Sequence, residues 1–519
     1  MTHLSRSLVL GCSILALAAC GPEDLGSPGS NGDINIGDID NSTGGGSSTP
    51  DPTPTPPATG VTPASGCPTI GSDPLLDNGT ITGPTGSWRV CGLPTTFAEN
   101  ATIPYVQGVL YSLPGRVDVG SDDGPLPDAT DQITGAPVTL TIQPGVTIYG
   151  ATGRSYLVVQ RGSKLVADGT AERPIVFTSR DNVLGLSNDT SSAQWGGVVL
   201  LGRAPVSDCS SGVPSADKVA CQQELEGALN PPSFGGPNAA DSSGSLTYVQ
   251  IRYSGFTLAA GSELQSLTTG GVGTGTRINY VQSFNSSDDG VELFGGSPKM
   301  SHFIVVGSED DSFDIDTGAK ADIQYALAIQ RTGAGDNALE LDSPDADFDF
   351  TALPRTNAQF TNFTFIAQGS GPTAIRARGQ ADLNMSNGVI VKSGGACLRI
   401  DEEDNAAPGS RAEELGPPMF NSVLLGCTAA AGSAVETYAN AGTNNQLGYT
   451  PTLTNLFVNG ATEAAATVYN PTALSTFFTA PTFVGAADAA ATWYQGWTCN
   501  SASANFNGAS SCTALPVYN

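Results

Sequence analysis

Three short runs, Tyr280-Val-Gln282, Phe303-Ile-Val305 and Tyr325-Ala-Leu327, recur at intervals of 23 and 22 residues, and their reading decides the fold. Runs of about five residues, rich in β-branched and aromatic side chains and bounded by Gly, Asn, Ser and Asp, are strands and not helices. Upstream the pattern continues as Val138-Thr-Leu-Thr-Ile142, Gly145-Val-Thr-Ile148, Tyr156-Leu-Val-Val159, Lys164-Leu-Val166, Ile175-Val-Phe177 and Trp195-Gly-Gly-Val-Val-Leu-Leu201. Downstream, Asn362, Asn387, Asn421 and Asn455 each open a strand-like segment. A short-strand repeat of this length is the period of a solenoid coil, in which no coil buries its inward side chains alone and stacking supplies the shared interior. The expected fold is all-β, a right-handed parallel β-helix with disulfide-stapled ends, and Asn at the strand entrances would supply αL turns or stacked amide ladders. A propeller lacks a blade signature here, and a sandwich is too small for an ordered region of roughly 450 residues.

The first residues give an address. Arg6, the apolar stretch from Leu8 to Ala19 and the sequence Leu17-Ala-Ala-Cys20 look like a lipobox. The apolar stretch is shorter than the roughly 20 residues a spanning helix needs, so residues 1–19 read as a removable lipoprotein signal peptide. Cys20 then becomes the lipidated N-terminus, carrying acyl chains such as palmitate that anchor the protein in a membrane. Gly21 follows where, by resemblance to the known sorting pattern, Asp would retain a lipoprotein at the inner membrane, so the expected location is the outer membrane at the cell surface. Residues 20–65 read as a disordered Gly/Ser/Pro-rich tether, extended where Pro dominates. Residues 66–137 are expected to form an N-terminal cap region, 138–470 the parallel β-helix and 471–519 a C-terminal cap.

Of the ten cysteines, Cys12 leaves with the signal and Cys20 is lipidated, and eight remain in an oxidising compartment. On the order of a hundred pairings are open to eight cysteines. Short loops close at least entropic cost, so the expected pairs are Cys67 with Cys91, Cys209 with Cys221, Cys397 with Cys427 and Cys499 with Cys512. With no CxxC pair and His302 the one histidine outside the signal, a Cys/His zinc site cannot be assembled. The 49 acidic residues against 21 basic, a net charge of −28, argue against nucleic acid as a partner. Such a balance suits cations, neutral glycans or simple solubility.

Several stretches resemble a family of envelope proteins from Gram-negative bacteria: Leu140-Thr-Ile-Gln-Pro-Gly-Val-Thr-Ile-Tyr-Gly150, Gly169-Thr-Ala-Glu-Arg-Pro-Ile-Val-Phe-Thr-Ser179, Ser287-Asp-Asp-Gly-Val-Glu-Leu-Phe-Gly-Gly296, Glu309-Asp-Asp-Ser-Phe-Asp-Ile-Asp-Thr-Gly318 and Trp493-Tyr-Gln-Gly-Trp497. Its members are lipoproteins with a parallel β-helix, often found with TonB-dependent outer-membrane transporters. The resemblance covers nearly all of the chain from about residue 130 and implies fold and location, with no settled activity to carry over.

Six segments share a small-apolar-charged signature: Gly290-Val291-Glu292, Ser312-Phe313-Asp314, Ala338-Leu339-Glu340, Ala374-Ile375-Arg376, Cys397-Leu398-Arg399 and Ala434-Val435-Glu436. Neighbours alternate faces in a strand, so the apolar member points inward and the charged one outward, along with Asp316, Asp342, Arg378 and Asp401. One outer face is therefore expected to carry acids followed by arginines, about 5 Å apart, as a ligand-binding column. The arginines would receive a carboxylate or phosphate. Asp288, Asp289, Asp310 and Asp311 fall at the turns before the first two strands, where carboxylates so close share a proton or recruit a cation. Calcium suits such an oxygen-only set; nothing points to an organic cofactor. The alternative is a solvated charged face with incidental ion pairs.

The function read from these features is a binding or accessory lipoprotein for nutrient capture, glycan among the ligands, or for docking to a transporter or secreted enzyme. The enzymatic alternative is a calcium-dependent polysaccharide lyase or glycoside hydrolase of the β-helix type, since stacked carboxylates at about 5 and 10 Å span retaining and inverting geometries. Polygalacturonase-type Gly-His-Gly and Arg-Ile-Lys elements are missing. His302, in Ser301-His-Phe-Ile-Val305, reads as a turn or stacking residue, not a triad member.

Overall fold

The computed structural model describes residues 60–518, apart from 72, 128, 212–220, 227, 229, 259–262, 345–348, 403–405 and 429–432. The expected signal peptide, Cys20 and the expected tether up to residue 59 lie outside the described residues.

Among these residues two long sheets, of 16 and 10 strands, run the length of the molecule. Almost every neighbouring pair in them is parallel; each later coil sends one long strand to the larger sheet, where the earlier coils send two short ones, and one strand to the smaller. The fold is a parallel β-helix. Its N-terminal end is closed by an antiparallel hairpin of Leu76–Gly83 with Gly86–Gly92. The parallel strands begin well before residue 138, because Val109–Leu113 pairs with Thr147–Gly150 and Arg116–Val119 with Tyr156–Val159. The region expected as a cap thus already contains stacked coils, which share the same apolar interior: Leu113, Val117 and Val119 are fully buried with Ile148 and Leu157.

The longer sheet is folded lengthwise. The strand Gly244–Arg252 pairs through its first half with Lys164–Asp168 and through its second half with Ile175–Ser179. Between the halves Tyr248 has φ +52, in the left-handed region, and the same bend recurs at Tyr280, His302, Tyr325, Asn362 and Asn387. Each long strand therefore spans two faces, and with the 10-stranded sheet the coil is three-sided. A left-handed non-glycine residue costs about 1–3 kcal/mol, offset here by stacking. The rings of Tyr248 and Tyr280, Tyr280 and His302, and His302 and Tyr325 lie 4.5, 4.4 and 4.8 Å apart, stacked and nearly parallel in each pair. This column corrects the alignment expected from the repeat by one residue: Tyr280 stands over His302, while Phe303 pairs with Val281.

Asn362 and Asn387 do sit at αL turns, but their amides chiefly hold the C-terminal segment. Asn362 Nδ2 donates to Phe483 O at 2.8 Å, and Asn387 exchanges bonds with Tyr469 at 2.9 and 2.7 Å. At Asn421 the positive φ belongs to its neighbour Ser422, and Asn455 lies outside the two long sheets. The C-terminal segment then runs back along the turn column. Gln282 donates to Cys499 O at 3.0 Å and accepts from Cys499 N at 2.8 Å, and the buried Arg252 donates to Cys512 O and Ala514 O. All four cysteine pairs form as expected.

One of the six aligned segments is not a strand. Ala434–Ala441 is an α-helix whose N-cap Ser433 accepts from Glu436 N. The Ser-x-x-Glu spacing and the run of helix-forming alanines override the strand reading, and the helix packs Val435, Tyr438 and Ala439 onto the C-terminal end of the core.

Candidate functional site

The 10-stranded sheet carries the site. Its strands Leu267–Gly270, Val291–Phe294, Asp314–Asp316, Leu339–Leu341, Thr373–Ala377 and Ala396–Ile400 are consecutive in the ladder. Valine, leucine and isoleucine at alternate positions point into the core; Val291, Leu293, Ile315, Leu339, Leu341 and Ile375 are all fully buried. The intervening residues face outward and stand in register: Thr268 opposite Glu292, Glu292 opposite Asp314, Asp314 opposite Glu340, Glu340 opposite Arg376, and Arg376 opposite Arg399. Asp316 lies two residues further along its strand, and Asp342, Arg378 and Asp401 hold the same position one residue past the ends of theirs.

The acidic half of this face is not solvated as a free surface would be. Glu292 and Glu340 are each 8% exposed, Asp289 5% and Asp311 4%. Together with Asp288, Asp310, Asp314, Asp342 and Arg378 they line an open cavity of about 220 Å³, to which Glu226, Glu263 and Gln265 also contribute. Volume of this kind admits a water from about 10–15 Å³ upward, so several solvent molecules or a hydrated cation fit. A larger hollow of about 750 Å³ at the N-terminal end is lined mainly by apolar groups such as Leu75, Leu93 and Phe97, and lacks convergent polar chemistry.

Burial, followed by the neighbouring carboxylates, pushes the pKa of Asp288 up to about 7. The same two causes hold Asp289, Glu292, Asp314 and Asp316 well above the carboxylate range, and Asp311 is raised by burial and by its contact with Glu340. Hydrogen bonding satisfies part of the set: Asp289 Oδ1 accepts from Asp311 N at 2.9 Å, Asp311 Oδ1 from Asn337 N at 2.5 Å, and Asp288 Oδ2 from Gln265 at 3.2 Å. Glu292 Oε2 and Asp314 Oδ1 are buried with no hydrogen-bond partner.

Three trios bring one carboxylate oxygen each within 4.8 Å of one another: Asp288, Asp289 and Asp310; Asp289, Glu292 and Asp314; and Asp310, Asp311 and Asp336. At that spacing two like charges repel by about 3 kcal/mol even at an effective dielectric constant near 20. A hydrogen bond returns about 1 kcal/mol. The cluster is therefore compatible with bound protons or with a cation, and disfavours a full set of bare charges.

The arginine half is internally paired. Arg376 meets Asp401 at 2.7 Å and Glu340 at 3.3 Å, Arg378 meets Glu340 at 3.2 Å and Asp342 at 3.0 Å, and Arg399 meets Asp401 at 2.5 Å. Burial works against ionisation of Asp401, but hydrogen bonds and charge from Arg376 and Arg399 outweigh it and hold its pKa low. Of the three arginines Arg399 is the most open, with half its side chain exposed.

Glu226, Glu263, Gln265 and Asp336 were not expected from the sequence. Asp336 could have been found, since it precedes Leu339 by the interval at which Asp288 precedes Val291 and Asp310 precedes Phe313. Gln265 precedes Leu267 by the interval at which Asp289 precedes Val291, one coil before those aligned, while Glu226 and Glu263 carry no local signal. His302 lies at the turn column, stacked between Tyr280 and Tyr325, on a different sheet from the acids.

No curated protein and no solved structure matches the chain. A family model described as a pectate-lyase-like β-helix domain matches residues 129–498, which takes in every coil that carries the acidic face and the paired arginines, and the chain belongs to that family.

Proposed function

We propose that the protein is a lipid-anchored envelope protein that uses calcium on this face to capture an acidic glycan as a nutrient, in company with an outer-membrane transporter or secreted enzyme. The observation that carries the reading is the pair of buried, unpartnered carboxylate oxygens on Glu292 and Asp314, in a cavity ringed by further acids. Oxygen-only donors in this number suit calcium. Three protein carboxylates leave coordination positions open, and a uronic-acid carboxylate is a ligand of the right charge and hardness to fill them. The paired arginines, Arg378 lining the cavity and the more exposed Arg399 further along the ladder, would meet a second acidic group. The lipobox ending in Cys20 supports the anchor, and Gly21 supports the outer membrane.

The test is binding of polygalacturonate and of a neutral glucan by the purified chain, with calcium and with EDTA. Retention of the acidic polymer with calcium alone is expected; binding unaffected by EDTA would overturn the reading. The anchor is tested by acyl labelling with and without globomycin, where Cys20→Ala is expected to lose the label, and a Cys20→Ala protein still labelled and membrane-bound would remove it.

Family membership favours a second reading, calcium-dependent polysaccharide cleavage. In the same incubations a lyase would generate unsaturated uronides with a rising ultraviolet absorbance, and a hydrolase would generate reducing ends without it.

A further inference from the structure

We infer that the acidic face holds two divalent cations bridged by Asp289, one seated on the turns and one on the strands. The inference rests on the calcium reading above and adds to it a second site built from Glu292 and Asp314. Asp289 is common to two of the trios: with Asp288 and Asp310 on the turn side, and with Glu292 and Asp314 on the strand side. Its carboxylate is fixed in place by the Asp311 N–H at 2.9 Å, which lets it serve both.

The strand-side trio has an independent mark of a missing ligand. Glu292 is more than nine-tenths buried, lines the cavity and keeps Oε2 without a hydrogen-bond partner; across the ladder Asp314 keeps Oδ1 in the same state. A buried carboxylate oxygen left unmatched costs about 1–3 kcal/mol, more when charged, and a cation between the two relieves both at once. A single cation on the turn side cannot do this, because Glu292 and Asp314 belong to the other trio.

Charge leads to the same number. The five carboxylates of the two trios retain an excess of three negative charges beside one divalent ion and of one beside two. A third cation at Asp310, Asp311 and Asp336 has no such support, since Asp311 and Asp336 both accept from Asn337, and none of the buried unpartnered oxygens belongs to that trio. A pair of ions sharing a carboxylate presents two adjacent open positions, suited to a bridging carboxylate of the bound polymer.

The experiment is calcium stoichiometry on the full chain in detergent, by equilibrium dialysis and calorimetry with the metal alone. Two calcium ions per chain are expected. Glu292→Gln and Asp314→Asn should each leave one, with the affinity of the remaining site changed less than about tenfold; Asp288→Asn combined with Asp310→Asn should also leave one; Asp289→Asn should weaken both. Circular dichroism in EDTA checks that each variant is folded, which relief of repulsion favours. One calcium per chain, unaffected by Glu292→Gln, would overturn the two-ion inference and leave the calcium reading standing. No calcium bound by the folded parent chain would overturn both.

Discussion

Glu292 and Asp314 face each other from adjacent parallel strands, in register, and each keeps one buried carboxylate oxygen without a hydrogen-bond partner. In a metal-free chain this is a repulsive contact. Asp314→Asn should therefore stabilise the protein in EDTA by about 1–3 kcal/mol, since it replaces a carboxyl whose ionisation is opposed by burial and neighbouring acids with a neutral group of the same shape. With saturating calcium the order should reverse, because the parent gains the binding energy of an ion that the variant holds less well. Urea denaturation midpoints in the two buffers check this; a variant less stable than the parent in EDTA would contradict it.

The arginines of the column should separate by burial. Arg378 bridges Glu340, which is 8% exposed, and Asp342. Arg378→Ala is expected to cost about 1–3 kcal/mol, because it removes the arginine that Asp342 meets and leaves the buried Glu340 with Arg376 alone of its two arginines. Arg399 is half exposed, so Arg399→Ala should change stability by less than about 0.5 kcal/mol while lowering affinity for polygalacturonate. Measuring thermal unfolding and polymer binding on the same two variants tests the division. An Arg399→Ala protein that binds as well as the parent would remove that side chain from the ligand surface.

A second buried ionic group is structural. Arg355, with 1% of its side chain exposed, lies between Asp382 at 3.5 Å and Glu414 at 3.4 Å, both fully buried, and donates to Phe350 O and Gln380 O. Arg355→Met should cost about 3–5 kcal/mol, because two acids are left buried together. Adding Asp382→Asn should recover part of the loss, a coupling that a double-mutant cycle in urea reads directly.

His302 gives a pH dependence of known sign. Burial in the ring column pushes its pKa down from 6.5 to about 4, with Nδ1 3.0 Å from Asn279 Oδ1 and 3.3 Å from Ser301 Oγ, and Trp493 packed edge-on. The unfolded chain takes up a proton near pH 6.5, while the folded chain resists until about pH 4. Stability from the neutral ring is thus fully present above pH 6.5 and falls as the pH drops toward 4, by about 2 kcal/mol once partial exposure is allowed for. His302→Tyr keeps a stacking ring and removes the proton site. The difference in melting temperature between parent and variant should change across that window and be flat below it; a difference independent of pH would show that His302 does not titrate in this way.

Some of this molecule was legible residue by residue. The alternation in Val291-Glu292-Leu293 and Phe313-Asp314-Ile315 assigns one side chain to the core and the next to the outer face, because a strand has period two. Aligning those triplets was enough to place Glu292, Asp314, Glu340, Arg376 and Arg399 in one column, and that order appears in the ladder. The same method failed at Ala434-Val435-Glu436, where a local capping signal and alanine propensity compete with the pattern and win. It also slipped by one residue at Tyr280 and Phe303, since strand spacing alone does not reveal which residue of the long strand takes the left-handed bend.

The sequence by itself determined the class of fold, the inward and outward faces of the coils, and the cysteine partners, because each depends on local alternation or on short loops. Tertiary structure decided the rest. Glu226, Glu263 and Gln265 come from segments outside the aligned coils, and they join the row of outward acids in lining an open cavity. Arg376 and Arg378 find carboxylates on neighbouring coils, which sets their pairing, and the C-terminal segment returns onto the turn column through bonds spanning more than 200 residues. Burial and pairing are sums over neighbours far apart in the chain, and coils of unequal length bring those neighbours together only when the hydrogen-bonded ladder fixes their register.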